Sequence, residues 1–169
     1  MTPLLAFWKG LAPDHRGRRL DDILRRDDDW LERTHDFIQW LFPLRERSGA
    51  NPSAPRLTPD VEAAFQADAA LRARLLDAFD RMLAFYGLRR QGTEIVKGSN
   101  WNDRRDDWFT RPTHNDLRIT RIMKSLSLLG LPDQAKALLA CLEALRRTEP
   151  DCGFSPEALR HWRQATRDA

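Results

Sequence analysis

The stretch His35-Asp36-Phe37-Ile38-Gln39-Trp40-Leu41-Phe42-Pro43 decides the fold class. Five of the eight residues before the proline are large and apolar, and they do not keep to one side of a helix. Ile38 and Phe42 share one face, Phe37 and Leu41 the next, and Trp40 points elsewhere. A helix that is apolar all round is buried all round, and Pro43 stops it because proline lacks the helical N–H and restricts the residue before it. Asp29, with Glu32 three residues on, is an N-terminal cap signal. The expectation is a central buried helix from Trp30 to Phe42, in an all-α fold of about six or seven helices and no sheet.

Outward from that helix, helical signals dominate. Leu20, Ile23 and Leu24 keep helical spacing. Thr58-Pro59-Asp60 opens a helix with a capping hydroxyl, a proline at its first position and acid in its first turn. Asp68 starts a longer one, in which Leu71, Leu75, Phe79, Met82, Leu83 and Tyr86 keep a helical period until Gly87. Thr113-His114-Asn115-Asp116 resembles a capping box, followed by the apolar face Ile119, Ile122, Leu126 and Leu129. Leu131-Pro132 and Ser155-Pro156-Glu157 begin the last two helices, with Phe154 and Leu159 placed as a hydrophobic staple. Two segments, 43–58 and 88–112, read as long loops rich in proline, glycine and polar residues, a length that belongs to functional or tightly packed loops. At 169 residues the chain fits one domain, 1–169, large enough to bury roughly 70% of its unfolded surface without a disulfide or metal.

Composition excludes several function classes. The net charge of +3 comes from arginines interleaved with aspartates, as in Arg25-Arg26-Asp27-Asp28-Asp29 and Arg104-Arg105-Asp106-Asp107, so no positive stripe suits nucleic acid. Cys141 and Cys152 have no metal-binding spacing and read as reduced, inert thiols. Glu32-x-x-His35 is half of a di-iron signature whose second half is missing, since Glu157 and His161 stand four apart. No metal and no cofactor is expected. The N-terminus lacks a basic segment ahead of its apolar run, and no apolar stretch is long enough to span a membrane, which implies a soluble, cytoplasmic protein without membrane insertion.

Polar residues on apolar helix faces are the candidate functional groups. His35 lines up with Leu31, Ile38 and Phe42 and is expected to be buried and neutral, with Asn115 as its hydrogen-bond partner in a structural polar core. At the Thr113 helix start, His114, Arg118, Arg121 and Ser125 fall in a narrow arc. Helix-start N–H groups favour negative charge. This marks His114, Asn115, Arg118 and Arg121 as a site for a small anionic ligand or peptide, with Trp101 on the preceding loop closing over it. The structural alternative ties Arg118 to Asp36 or Asp116. A second alternative is an enzyme of unrecognised type using His35, His114, Asn115 and Arg118, although no nucleophile elbow, phosphate loop or metal motif is present and no residue is assigned as catalytic. A third is single-stranded nucleic-acid binding through Trp101 and Trp108, against the commoner role of such residues as loop anchors.

Three long motifs, His35 to Leu44 (HDFIQWLFPL), Met82 to Leu88 (MLAFYGL) and Asn115 to Leu126 (NDLRITRIMKSL), together resemble the conserved N-terminal region of the opioid growth factor receptor, also called the zeta opioid receptor. The similarity runs in register from about Phe7 to Leu145. The resemblance implies an all-helical, non-enzymatic regulatory domain whose animal members bind the pentapeptide Met-enkephalin and restrain growth, in association with the nucleus and its envelope. The short chain, its bias to arginine over lysine and its lack of a basic import run suit a single-domain microbial relative. The family supplies no ligand-contacting residues to carry over, and oligomeric state is not legible.

Overall fold

The computed structural model describes residues 1–167, which hold ten α-helices and one two-stranded hairpin. They form two compact units, Met1–Ala78 and the remainder from Phe79.

In the first unit the helices are short: α1 (Pro3–Trp8), α2 (Leu20–Leu24), α3 (Asp28–Arg33), α4 (Ile38–Leu41) and α5 (Pro59–Ala67), followed by the start of α6 (Ala69–Phe85). Side chains set several starts. Thr2 accepts from the Leu5 N–H at 3.2 Å, Asp27 from Trp30 at 2.8 Å and Asp68 from Ala70 at 2.8 Å. Thr58 precedes α5 as expected, but its hydroxyl makes no cap bond, and Pro59 at the first position carries the start instead. Aromatic edges fill the interior. Phe7 meets Trp40 at 5.2 Å, Trp8 meets Phe65 at 5.4 Å, and the Trp8 indole N–H donates to the Trp40 carbonyl at 3.1 Å.

The expected helix from Trp30 to Phe42 is corrected to two pieces. Phe37, Ile38, Trp40, Leu41 and Phe42 are all buried, so burial on every side holds. The helical ladder does not run through them. Thr34 takes an extended backbone (φ −99°, ψ 126°), and its N–H closes α3 onto the Trp30 carbonyl. Thr34 is β-branched, and the next residues find other partners: the Gln39 amide donates to the His35 carbonyl at 3.1 Å, and Asp36 is held by arginines. The 43–58 loop is tightly tied. Leu57 donates to the Leu44 carbonyl at 2.8 Å, and Arg45 grips Glu62 through two bonds of 2.6 and 2.7 Å.

The second unit adds β1 (Leu88–Gln91), β2 (Glu94–Lys97), α7 (Trp101–Arg104), a 3-10 turn (Arg105–Asp107), α8 (Asn115–Leu128), α9 (Pro132–Thr148) and α10 (Pro156–Arg167). The hairpin corrects the expectation of no sheet. It runs antiparallel from Leu88↔Lys97 to Gln91↔Glu94 around the two residues Gly92 and Thr93. Gly92 has φ 61° and Thr93 does not have positive φ, which is the requirement of a type II′ turn with glycine first. The strands are mainly helical in neither composition nor period. Leu-Arg-Arg-Gln and Glu-Ile-Val-Lys are simply too short to show alternation.

Tyr86, Trp101, Trp108, Phe109, Phe154 and Trp162 make a continuous run of edge-to-face contacts between 4.9 and 6.0 Å. Gly87 enters this cluster at φ 78°, and a Cβ there would lie 2.9 Å from the Trp101 Cα, so the helix stop and the aromatic packing demand the same glycine. The chain entering α8 is clamped as well. Gly153 donates to the Phe109 carbonyl at 2.8 Å, and a Cβ on it would stand 2.1 Å from the Thr110 oxygen. Phe154 and Leu159 are buried as the staple requires, and the Ser155 hydroxyl accepts from the Ala158 N–H. Among the described residues no helix is long and apolar enough to cross a membrane.

Candidate functional site

The start of α8 is built one residue later than the capping pattern suggested. The residue before the helix is His114, which makes no side-chain cap bond, while the Thr113 hydroxyl accepts from the Asn115 N–H at 3.1 Å. Asn115 is 0% exposed, and its Oδ1 accepts from the Tyr86 hydroxyl at 3.3 Å. Arg118 is 5% exposed, and Ser125 is fully buried. Burying such groups without hydrogen bonds costs about 1–3 kcal/mol each, which is why they sit on ordered partners. His114 is exposed and Arg121 half-buried. The arc therefore divides into an inner pair that belongs to the core and an outer pair that reaches solvent.

Trp101 does not stand free to close over a ligand. It is 4% exposed and packs at 6.0 Å from Trp108 and 5.2 Å from Phe109, with the Arg105 guanidinium 5.9 Å from its ring centre. Trp108 is fully buried and donates to the Tyr86 carbonyl at 3.0 Å. Both indoles anchor the loop, so neither offers a face on which a base can stack.

Asp116 is the unusual acid of this region. Burial pushes its carboxyl up to about 6, against a lowering hydrogen bond from the Thr113 backbone. Its Oδ1 is buried without a hydrogen-bond partner, and its carbonyl accepts from the Trp162 indole at 3.1 Å. A carboxyl half-neutral near pH 6 weakens the repulsion that an acid at a helix start would otherwise exert on an anion.

His35 corrects the buried-histidine expectation, because its side chain is exposed. The break after Arg33 turns it off the apolar face that a continuous helix would have given it. A different histidine enters the polar network of this unit. The Trp40 indole N–H donates to His15 Nδ1 at 3.0 Å, which leaves the ring proton on Nε2, 3.3 Å from Asp36. Arg16 and Arg18 each donate to Asp36 at 3.0 Å. Burial alone pushes the Asp36 carboxyl up, but the hydrogen bonds of Arg18 and Arg16 and the charge of Arg18 more than reverse this and hold it below the usual carboxylate range. Of the residues in the enzymatic alternative, His35 lies in the first unit and His114, Asn115 and Arg118 in the second. Among the described residues no three His, Cys, Asp or Glu side chains gather as metal ligands.

Residues 12–162 match the family described as the opioid growth factor receptor (OGFr) conserved region. The chain belongs to the opioid growth factor receptor family. It is 42% identical over 134 residues to the opioid growth factor receptor of Rattus norvegicus, covering 75% of this chain and 23% of that protein. Against the receptor of Homo sapiens it is 41% identical over 139 residues, 77% of this chain and 20% of that protein. The opioid growth factor receptor-like protein 1 of Mus musculus is 38% identical over 133 residues, 75% of this chain and 28% of that protein. The chain thus spans about a fifth to a quarter of the receptors it matches. No solved structure matches.

Within this family member, sequence reasoning missed two features. Leu117 lies off the apolar face of α8, so the helical period gives no sign of it, and it is 74% exposed. His15 sits in a glycine- and proline-bearing loop with no period to mark it. The signal for it was Arg16, Arg18 and Asp14 packed around it in sequence, a charge cluster too dense for a plain loop.

Proposed function

We propose that this domain is a non-enzymatic peptide-binding module, and that the outer face of α8 receives a peptide bearing a carboxylate and an apolar side chain. The observation that carries the reading is Leu117, 74% exposed in the middle of a basic face. At about 100° per residue, His114, Leu117, Arg121 and Lys124 share an arc of roughly 80°. A guanidinium takes a carboxylate in two parallel hydrogen bonds, and the leucine offers apolar area beside it. Behind this face the buried Asn115 and Arg118 hold the helix start in place. The relatives are named as receptors for a growth factor, which is the same class of role.

The test is calorimetric titration with the pentapeptide Tyr-Gly-Gly-Phe-Met as free acid and as C-terminal amide. Saturable one-to-one binding of the acid is expected, weakened for the amide and for Leu117→Ser and Arg121→Glu proteins that melt like the parent. Equal binding of acid and amide, or binding indifferent to both substitutions, overturns the proposal.

A further inference from the structure

Between the end of α3 and the start of α4 the first unit opens a cleft of about 420 Å³, lined by Arg33, Thr34, His35, Asp36, Ala50 and Asn51. That volume lies within the range of small-ligand sites. Its lining mixes polar and apolar surface, and the balance of donors and acceptors is uneven. Asp36 is the single acid among these six residues, and both of its oxygens are engaged: Oδ1 by Arg18, Oδ2 by Arg16 and His15. Two guanidinium charges at 3.0 Å offset the one carboxylate, so the acid neither repels an anion strongly nor attracts a cation.

The other side chains present donors. Arg33 donates through Nε to the Asp29 carbonyl at 3.1 Å, a bond that fixes the base of the guanidinium and does not use its two NH2 groups. Asn51 accepts from the Ser53 hydroxyl on Oδ1 at 3.2 Å, which orients the carboxamide and leaves its NH2 end outside that bond. His35 is exposed, and its backbone is held from below by the Gln39 amide. Nothing in this arrangement depends on the α8 face, which belongs to the other unit.

We propose that this cleft binds a small oxyanion, the carboxylate or phosphate group of a metabolite, with Arg33 and Asn51 as its donors. The break in the Trp30–Phe42 helix then has a use: it brings Arg33, His35 and the 50–51 turn to one opening, whereas an unbroken helix would have carried His35 inward.

The experiment is a two-dimensional amide NMR titration of the whole chain at constant ionic strength, with inorganic phosphate in one series and acetate in the other. Saturating shifts confined to residues 33–36 and 50–51 are expected in at least one series, and the series that saturates lower names the ligand class. Arg33→Gln and Asn51→Ala should each weaken binding about 10-fold or more, while Arg33→Lys, which keeps the charge and loses the planar fork, should fall between. All three should leave the melting temperature unchanged, since neither residue is in the core. The amides of His114 and Leu117 report on the peptide site separately: they should not move in the phosphate series, while the acetate series offers that site a carboxylate, and movement there counts for the peptide site and not for the cleft. Shifts that grow linearly without saturation, that spread over arginines outside the cleft and the α8 face, or that persist undiminished in Arg33→Gln and Asn51→Ala overturn the site.

Discussion

Thr34–Phe42 and α8 both place a polar side chain where an apolar helix face ought to be, yet the two regions resolve the conflict in opposite ways. In α8 the helix persists and the polar group goes inside, where Asn115 finds the Tyr86 hydroxyl. In the earlier stretch the apolar residues go inside and the helix gives way, leaving His35 at the surface. The difference lies in what each segment offers its own backbone. Asn115 lies in the first turn, where N–H groups lack intrahelical partners in any case, and a buried hydroxyl donor, Tyr86, lies within reach of its Oδ1. Thr34 to Asp36 fall in what would be a helix interior, next to side chains that compete for the chain: Arg16 and Arg18 on Asp36, and His15 on Trp40. A polar residue near a helix end is tolerated inside; a run of them in the middle breaks the helix.

Trp40→Ala is the harshest way to break that comparison. The side chain is buried, contacts Phe7 and donates to His15, so its loss should cost about 3–5 kcal/mol and scatter the Asp36 network. Chemical denaturation read by the remaining tryptophans measures it. A cost under about 1 kcal/mol would mean that the stretch is held from elsewhere. Asn115→Ala should cost about 1–3 kcal/mol, because the Tyr86 hydroxyl then loses a buried acceptor. A double-mutant cycle with Tyr86→Phe should recover part of that cost, as both partners are then gone. Strictly additive losses would show that the 3.3 Å contact carries no energy.

What was legible in the sequence follows the same division. The starts at Pro59, Pro132 and Pro156 were readable from a proline at the first position with a helical period behind it, and the start at Ala69 from the Asp68 cap. The inward apolar residues of the His35 stretch were readable from composition alone. The break was not, because it depends on Arg16 and Arg18, about twenty residues upstream, and a local period carries no record of distant partners. The hairpin escaped because its two strands of four residues are shorter than the window in which alternation can be told from chance, although Gln91-Gly92-Thr93-Glu94 did hold the turn signal. Among the candidate site residues, the sequence put the polar groups on one helix but did not show which of them face outward. Arg118 and Arg121 differ by three residues and by the whole depth of the surface.

Asp116 gives the comparison a pH axis. Its folded carboxyl stands at about 6 against an ordinary 3.8, so between these values the folded chain holds a proton that the unfolded chain has lost. Stability from this group is present below about 4 and is lost as pH rises through about 6. Because the carboxyl is half-exposed and screened, the loss should be about 1 kcal/mol. Asp116→Asn should flatten the stability profile in that window, which thermal melts from pH 4 to 7 would detect. Asp36 works in the opposite sense, since its folded carboxyl is depressed: its contribution is present above the unfolded value and disappears as pH falls below about 4. A profile in Asp116→Asn that still falls between pH 4 and 6 would assign the slope to another group.

The smallest expected effect is the most telling. If the helix were continuous, His35 would face Leu31, Ile38 and Phe42, and His35→Ala would open a cavity and orphan a polar partner at a cost of about 2 kcal/mol or more. With the chain broken at Thr34, the imidazole is exposed, and the structural element at this residue is its carbonyl, which accepts from the Gln39 amide in any residue type. The substitution should therefore change stability by less than about 0.5 kcal/mol, as for other surface positions. Gln39→Ala is the counterpart, since Gln39 is buried and its amide bridges the break; it should cost about 1 kcal/mol or more. Equal and small effects from both would mean that the break needs no side-chain support. A large loss from His35→Ala with a small one from Gln39→Ala would restore the continuous helix and remove the cleft with it.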